Sequence, residues 1–159
     1  MWYWRFCFYL MQMIGLVLLP GCGCAPQKEK LVVINVLDTT LYDDCHIKGS
    51  INISFEDFAQ RMSSLNKNDE IIIYCSNYQC TASGYAVEML QKQGFKKVAA
   101  YEAGMAAWYQ EGLPVEGVCK QPYLMHKVEP LEQNKTISVV STEELKRKIK
   151  SLLAVSITP

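Results

Sequence analysis

Ile71-Ile72-Ile73-Tyr74-Cys75-Ser76-Asn77-Tyr78-Gln79-Cys80-Thr81-Ala82-Ser83-Gly84-Tyr85-Ala86-Val87-Glu88-Met89-Leu90 decides how this chain is read. A β-branched run ends at a cysteine, a short polar loop follows, and a helical pattern begins at once. An unbroken apolar run of this length is the pattern of a strand buried on both faces of a parallel sheet. The helix predicted over Ala82 to Gln93 is closed by Gly94, a residue that tolerates the left-handed conformation after a helix end. Loop amides and a helix N-terminus can converge on the sulfur of Cys75, so the segment is expected to hold it as a thiolate or a bound sulfur anion.

Outward from this segment the same alternation repeats. Leu31 to Val36, Ile51 to Ile53, Ile71 to Tyr74 and Val98 to Tyr101 read as strands. Between them lie a helical turn over Asp38 to Asp44, a helix capped by Ser54 with Asp57 at the capping-box position, and a helix over Met105 to Glu111 ended by Gly112 and Pro114. Phe55, Phe58 and Met62 share one face of the Ser54-capped helix. Strand alternating with helix through tight loops predicts an α/β domain with a central parallel sheet flanked by helices. Active sites in such sheets lie off the carboxyl ends of the strands, where Cys75 falls.

The 159 residues suffice for one domain with a core, and Lys plus Arg balances Asp plus Glu at 16 each. No global field then favours nucleic acid as a partner. Arg5 is the only charge before Lys28. Phe6 to Leu19, apolar except for Gln12, has the length of a signal h-region, and Leu19-Pro20-Gly21-Cys22 resembles a bacterial lipobox. Residues 1–21 are expected to be a lipoprotein-type signal peptide, Cys22 the lipidated residue and 22–30 a tether. The expected location is the bacterial cell envelope, held to a membrane and facing the periplasm or exterior; the alternative is an uncleaved N-terminal anchor.

Asn35-Val36-Leu37-Asp38, Asp44-Cys45-His46-Ile47-Lys48-Gly49-Ser50-Ile51-Asn52, Tyr74-Cys75, Gly94-Phe95 and Tyr101-Glu102-Ala103-Gly104-Met105-Ala106-Ala107-Trp108 stand in the order and spacing of a known family. Residues 31–117 resemble a rhodanese-like domain, in a subset with a Cys-x4-Cys-x-Ala-Ser loop. The resemblance implies a sulfurtransferase without cofactor, in which Cys75 takes up sulfane sulfur as a persulfide and passes it to a thiol acceptor. The donor is thiosulfate or a persulfide, small or protein-borne. Ser76, Asn77, Tyr78, Gln79, Cys80, Thr81 and Ser83 would form the active loop, with Thr81 and Ser83 capping the following helix. His46 and Lys48 are possible supporting residues; His46 reads more readily as structural.

The chain departs from the family where Asn35-Val36-Leu37 replaces the common Asp-Val-Arg, and where Cys80 replaces the loop arginine. Loss of two guanidinium groups weakens the case for the thiosulfate dianion. Cys80 is either a resolving thiol or a small packing residue. Cys45 and Cys119 are candidates for a disulfide in an exported protein, though sequence does not pair them. The cysteine spacings fit no zinc site, so no metal is expected. A phosphatase needs Cys-x5-Arg to clamp its oxyanion, and the corresponding residue here is Thr81. The remaining alternatives are a thiol–disulfide redox protein using Cys75 and Cys80, and a catalytically silent binding module.

Residues 118–135, with Pro122 and Pro130, read as a linker. In residues 136–159, Thr136 to Val140 reads as a strand. Ser141 to Glu144 forms a capping box, and Leu145, Ile149, Leu152 and Leu153 form the apolar stripe of a last helix. Family members usually open with a strand and helix that are missing before Leu31, so this segment is expected to complete the domain from the other end of the chain.

Overall fold

The computed structural model describes residues 29–127, 129–130 and 136–155, with the backbone alone at 152–155. The signal segment, Cys22, most of the tether and residues 128 and 131–135 of the 118–135 segment lie outside these residues, as do the side chains of Leu152 and Leu153.

Four strands form a parallel sheet in the order β3-β1-β4-β5: β1 (Leu31–Asn35), β3 (Ile51–Asn52), β4 (Glu70–Tyr74) and β5 (Val98–Tyr101). The inner strand β4 pairs Ile71 to Tyr74 with Val98 to Tyr101 on one side and Glu70 to Tyr74 with Leu31 to Asn35 on the other. Because side chains alternate across a strand, its apolar run divides between two cores. Ile71, Ile73 and Cys75 face one core, with Phe58 from α2 (Phe55–Arg61) and Ala86, Val87 and Leu90 from α3 (Ala82–Lys92). Ile72 and Tyr74 face the other, with Met105 and Trp108 from α4 (Gly104–Gln110) and Leu145 from α5 (Thr142–Val155). Both faces are covered, which is why the strand could not be half polar.

The local signals act as expected at several ends. Asp38 caps α1 (Thr39–Asp44) by accepting the Leu41 amide at 3.0 Å, and Ser54 caps α2 by accepting from Asp57. Phe58 is fully buried. Phe55, placed with it on one face, is instead 40 % exposed. As the first residue of α2 it sits at the edge of the packed stripe.

The segment from 118 departs from a linker. A two-stranded antiparallel sheet joins β2 (Cys45–Ile47) to β6 (Val115–Gly117), and a disulfide then ties Cys45 to Cys119. Asp44 continues the attachment: its carbonyl accepts from Cys119 N–H at 2.8 Å and its carboxylate from the Lys120 and Gln121 amides. A 3₁₀ turn over Pro122–Met125 buries Leu124 against α4. The lack of period misled because these contacts come from backbone, one disulfide and one leucine.

At the free edge of β5, Val139 makes a parallel bridge with Ala100, through Ala100 N–H to Ser138 C=O and Val140 N–H to Ala100 C=O, each 2.9 Å. This is one bridge rather than the five-residue strand read over Thr136 to Val140. Val140 and Leu145 are buried, Tyr101 Oη and Thr142 Oγ1 lie 3.0 Å apart, and Lys148 pairs with Glu70.

Candidate active site: two thiols at the carboxyl end of β4

Cys75 is the residue immediately after β4, and the loop to α3 turns back over it. Asn77 shapes that turn. Its carbonyl accepts from Cys80 N–H and its side-chain oxygen from Gln79 N–H, both at 3.0 Å. The other side of the loop is held by the start of α4, where Met105 N–H donates to Cys75 C=O and Ala106 N–H to Ser76 C=O, each 2.9 Å. Free amides at a helix start are natural partners for loop carbonyls. In a trans peptide the N–H points opposite to the C=O, so these bonds also fix the directions of the Ser76 and Asn77 amides. Gly104, at φ +66°, makes this approach possible: a Cβ there would lie 2.7 Å from Asn77 N, Cys75 O and Ser76 C. In the sequence the clamp's signal is the Glu102-Ala103-Gly104-Met105 run.

Cys75 is fully buried. Its thiol donates to Cys80 C=O at 3.0 Å, a second carbonyl oxygen, that of Asn77, lies 3.8 Å away, and Ser83 Oγ is at 3.6 Å. Cys80 is only partly buried, and neither thiol is in a disulfide. The neighbouring Cys80 side chain, followed by burial, pushes the Cys75 thiol well above the ordinary range, against the Ser83 hydroxyl and amide. The Cys75 side chain draws the Cys80 thiol below the ordinary range despite its partial burial, helped by the Ala82 and Ser76 amides and the Ser76 hydroxyl. These influences run against the thiolate expected at Cys75 and favour ionisation of Cys80 instead.

The other loop residues divide. Ser83 is buried against Cys75, as a helix-start residue facing the sulfur. Thr81 stands at the N-cap of α3 but makes no side-chain capping bond, contrary to expectation, since its backbone is already in the helical region. Tyr78 packs on the Trp108 side of the sheet. His46 and Lys48 are not brought to the loop by any contact. His46 stacks on Tyr42, donates from Nδ1 to Tyr42 C=O at 2.8 Å and lies 3.3 Å from Glu116, while Lys48 reaches the same Glu116. Among the described residues no group of His, Cys, Asp and Glu is placed to hold a metal ion.

An open parallel sheet with a cysteine loop at the carboxyl end of a central strand, clamped by the next-but-one helix, defines the class: the chain belongs to the rhodanese-like domain family, whose model matches residues 25–111. It is similar to the putative sulfur carrier protein YrkF of Bacillus subtilis, with 36 % identity over 80 residues, covering 50 % of this chain and 42 % of that one. The chain thus spans less than half of that relative. It is also 33 % identical over 82 residues to the thiosulfate sulfurtransferase GlpE of Pseudoalteromonas translucida, covering 52 % of this chain and 76 % of the relative. Among solved structures, the Alr3790 protein of Anabaena matches with a TM-score of 0.51 and 33 % identity, over 57 % of this chain and 70 % of the other.

Proposed function

We propose that the protein is a sulfurtransferase that carries sulfane sulfur as a persulfide on Cys75 and delivers it to a thiol acceptor. The observation that carries this reading is the position of the Cys75 sulfur at the carboxyl end of β4, beneath the 75–83 loop and beside Ser83 Oγ. The similarity to proteins named as a thiosulfate sulfurtransferase and a putative sulfur carrier supports it further. In this chemistry a thiolate attacks the outer sulfur of the donor and displaces its leaving group. An acceptor thiolate then attacks the outer sulfur of Cys75–S–S⁻ and restores the cysteine. The loop from Cys75 to Ser83 contains no lysine or arginine, so a persulfide donor suits it better than the thiosulfate dianion. Exposing the full-length protein to thiosulfate or glutathione persulfide and mapping its peptides by mass spectrometry tests this. One sulfur gained on the Cys75 peptide, and removed by an acceptor thiol, is expected. Absence of added sulfur on any cysteine with either donor ends the reading.

That both loop cysteines are free, with the Cys75 thiol 3.0 Å from the Cys80 carbonyl, favours one second reading, thiol–disulfide exchange through a Cys75–Cys80 couple. Its mark in the same experiment is a loss of two hydrogens linking the two residues, with no sulfur gained.

The signal-like N-terminus supports a further part of the proposal, a membrane-held protein of the cell envelope lipidated at Cys22. The Cys45–Cys119 disulfide fits an oxidising compartment. An N-terminal peptide of the mature protein that begins before Cys22, or carries no lipid, overturns it.

A further inference from the structure

We propose that Cys80 is the entry thiol of a two-cysteine relay, taking sulfane sulfur from the donor at the surface and passing it inward to Cys75. This rests on the sulfur-transfer reading and concerns how the sulfur reaches its site. The difficulty it resolves is geometric. Cys75 is fully buried, its thiol is directed at the Cys80 carbonyl 3.0 Å away, and its own backbone carbonyl is held by the start of α4. A donor approaching from solvent meets Cys80 first, because Cys80 is the partly exposed member of the pair. The Cys75 side chain and the Ala82 and Ser76 amides also draw the Cys80 thiol below the ordinary range. Nucleophilicity and access therefore coincide at Cys80, while Cys75 offers a sheltered place for a reactive persulfide, screened from oxidants.

Two displacements complete the relay. In the first, Cys80–S⁻ attacks the outer sulfur of a persulfide donor R–S–SH. The donor's S–S bond breaks, a new S–S bond forms on Cys80, and the donor's proton leaves on R–SH. In the second, the Cys75 sulfur attacks the outer sulfur of Cys80–S–S⁻ as the Cys80 S–S bond breaks. The Cys75 proton moves to the transferred sulfur and Cys80 returns as the thiolate. Each step conserves sulfur, hydrogen and charge, and neither needs an external oxidant or reductant. The contact of the Cys75 thiol with the Cys80 carbonyl, at 3.0 Å, holds the two residues side by side for the second step.

The test uses glutathione persulfide in one equivalent, without oxygen, on the full-length protein, with rapid alkylation and peptide mapping at successive times. The wild type is compared with Cys75→Ser, Cys80→Ser and Cys80→Ala, and thermal melting checks that each is folded. The relay predicts sulfur on the Cys80 peptide before the Cys75 peptide in the wild type. Cys75→Ser should still load Cys80, and both Cys80 variants should load Cys75 at least ~10-fold more slowly, because a buried thiol must then attack alone. Wild-type loading of Cys75 in the Cys80 variants, with Cys80 empty in Cys75→Ser, overturns the relay and leaves sulfur transfer standing. No added sulfur in any of the four proteins overturns both. The wild-type time course reads the order of loading even if one variant fails to fold.

Discussion

Replacing Gly104 with alanine should damage the site more than the fold, and the two effects can be separated. At φ +66° an L side chain costs about 1–2 kcal/mol in backbone strain. The added Cβ would lie 2.7 Å from three backbone atoms of Cys75, Ser76 and Asn77, against the 3.4 Å at which ordinary contact begins. The loop must therefore retreat by about 0.7 Å, and because all three atoms are backbone, no side chain can swing aside. Overpacking of this kind costs roughly a further 1–2 kcal/mol. The amides of Met105 and Ala106 move off their carbonyl partners, and the sulfurs lose their alignment. Displacements near 1 Å can cost about 100-fold in rate, so sulfur uptake should fall roughly 10- to 100-fold. With a total of about 2–4 kcal/mol, the melting temperature should drop by roughly 8–16 °C. Gly112 provides the control. It too has positive φ, at +64°, but nothing lies within 4 Å of a Cβ there. Gly112→Ala should lose only the strain term of about 1–2 kcal/mol and load sulfur at the wild-type rate. Thermal melting and quenched sulfur loading of the two variants side by side make the measurement. If Gly104→Ala matches Gly112→Ala in both, the loop clamp is not what the glycine serves.

Other perturbations reach different parts of the molecule. Burial raises the Tyr74 hydroxyl to about 12, above the unfolded value of 10.0, so its stabilising contribution is complete below pH 10 and is lost as pH rises towards 12. Tyr74→Phe should lose about 1–2 kcal/mol near neutrality, where Ile47 N–H and Ser50 lose a partner, yet show a shallower stability loss above pH 10. Denaturant titrations that give parallel alkaline slopes for the two proteins would contradict this. Reducing the Cys45–Cys119 disulfide opens a link between residues 74 apart, worth about 4 kcal/mol in chain entropy, so Cys45→Ala with Cys119→Ala should melt roughly 16 °C lower. A reductant that shifts the wild-type melting point but not the double variant's would agree; equal shifts in both would not. Truncation after Pro130 removes the Ala100 bridge, Val140, Leu145 and the Thr142 partner of Tyr101, and should abolish cooperative unfolding. A truncated protein with the full-length melting temperature would show that the C-terminal segment is dispensable.

The order of strands and helices was legible because each element announces itself locally. Ile71 to Tyr74 is apolar throughout because both faces of β4 are covered, and Ser54, Asp38 and Gly94 mark helix ends through their own backbone and side-chain chemistry. Phe55 was misplaced because period alone does not say how far along a helix the packed face extends. The segment after Val118 was misread for the opposite reason. Its attachment runs through the Cys45–Cys119 link, Asp44 and Leu124, partners that lie up to 77 residues away or leave no periodic trace.

The sequence by itself determined that a cysteine ends an inner parallel strand and enters a cation-free loop before a helix, since those features depend on neighbours along the chain. Which of the two loop sulfurs is sheltered and which is open to solvent was decided only by tertiary structure. A carbonyl and an amide are equally present at every residue, and their orientation sets the local potential. The start of α4, brought close by Gly104, turns the carbonyls of Cys75 and Ser76 towards itself. The loop's return then sets the Cys80 carbonyl on the Cys75 thiol and leaves the Cys80 side chain partly open to solvent.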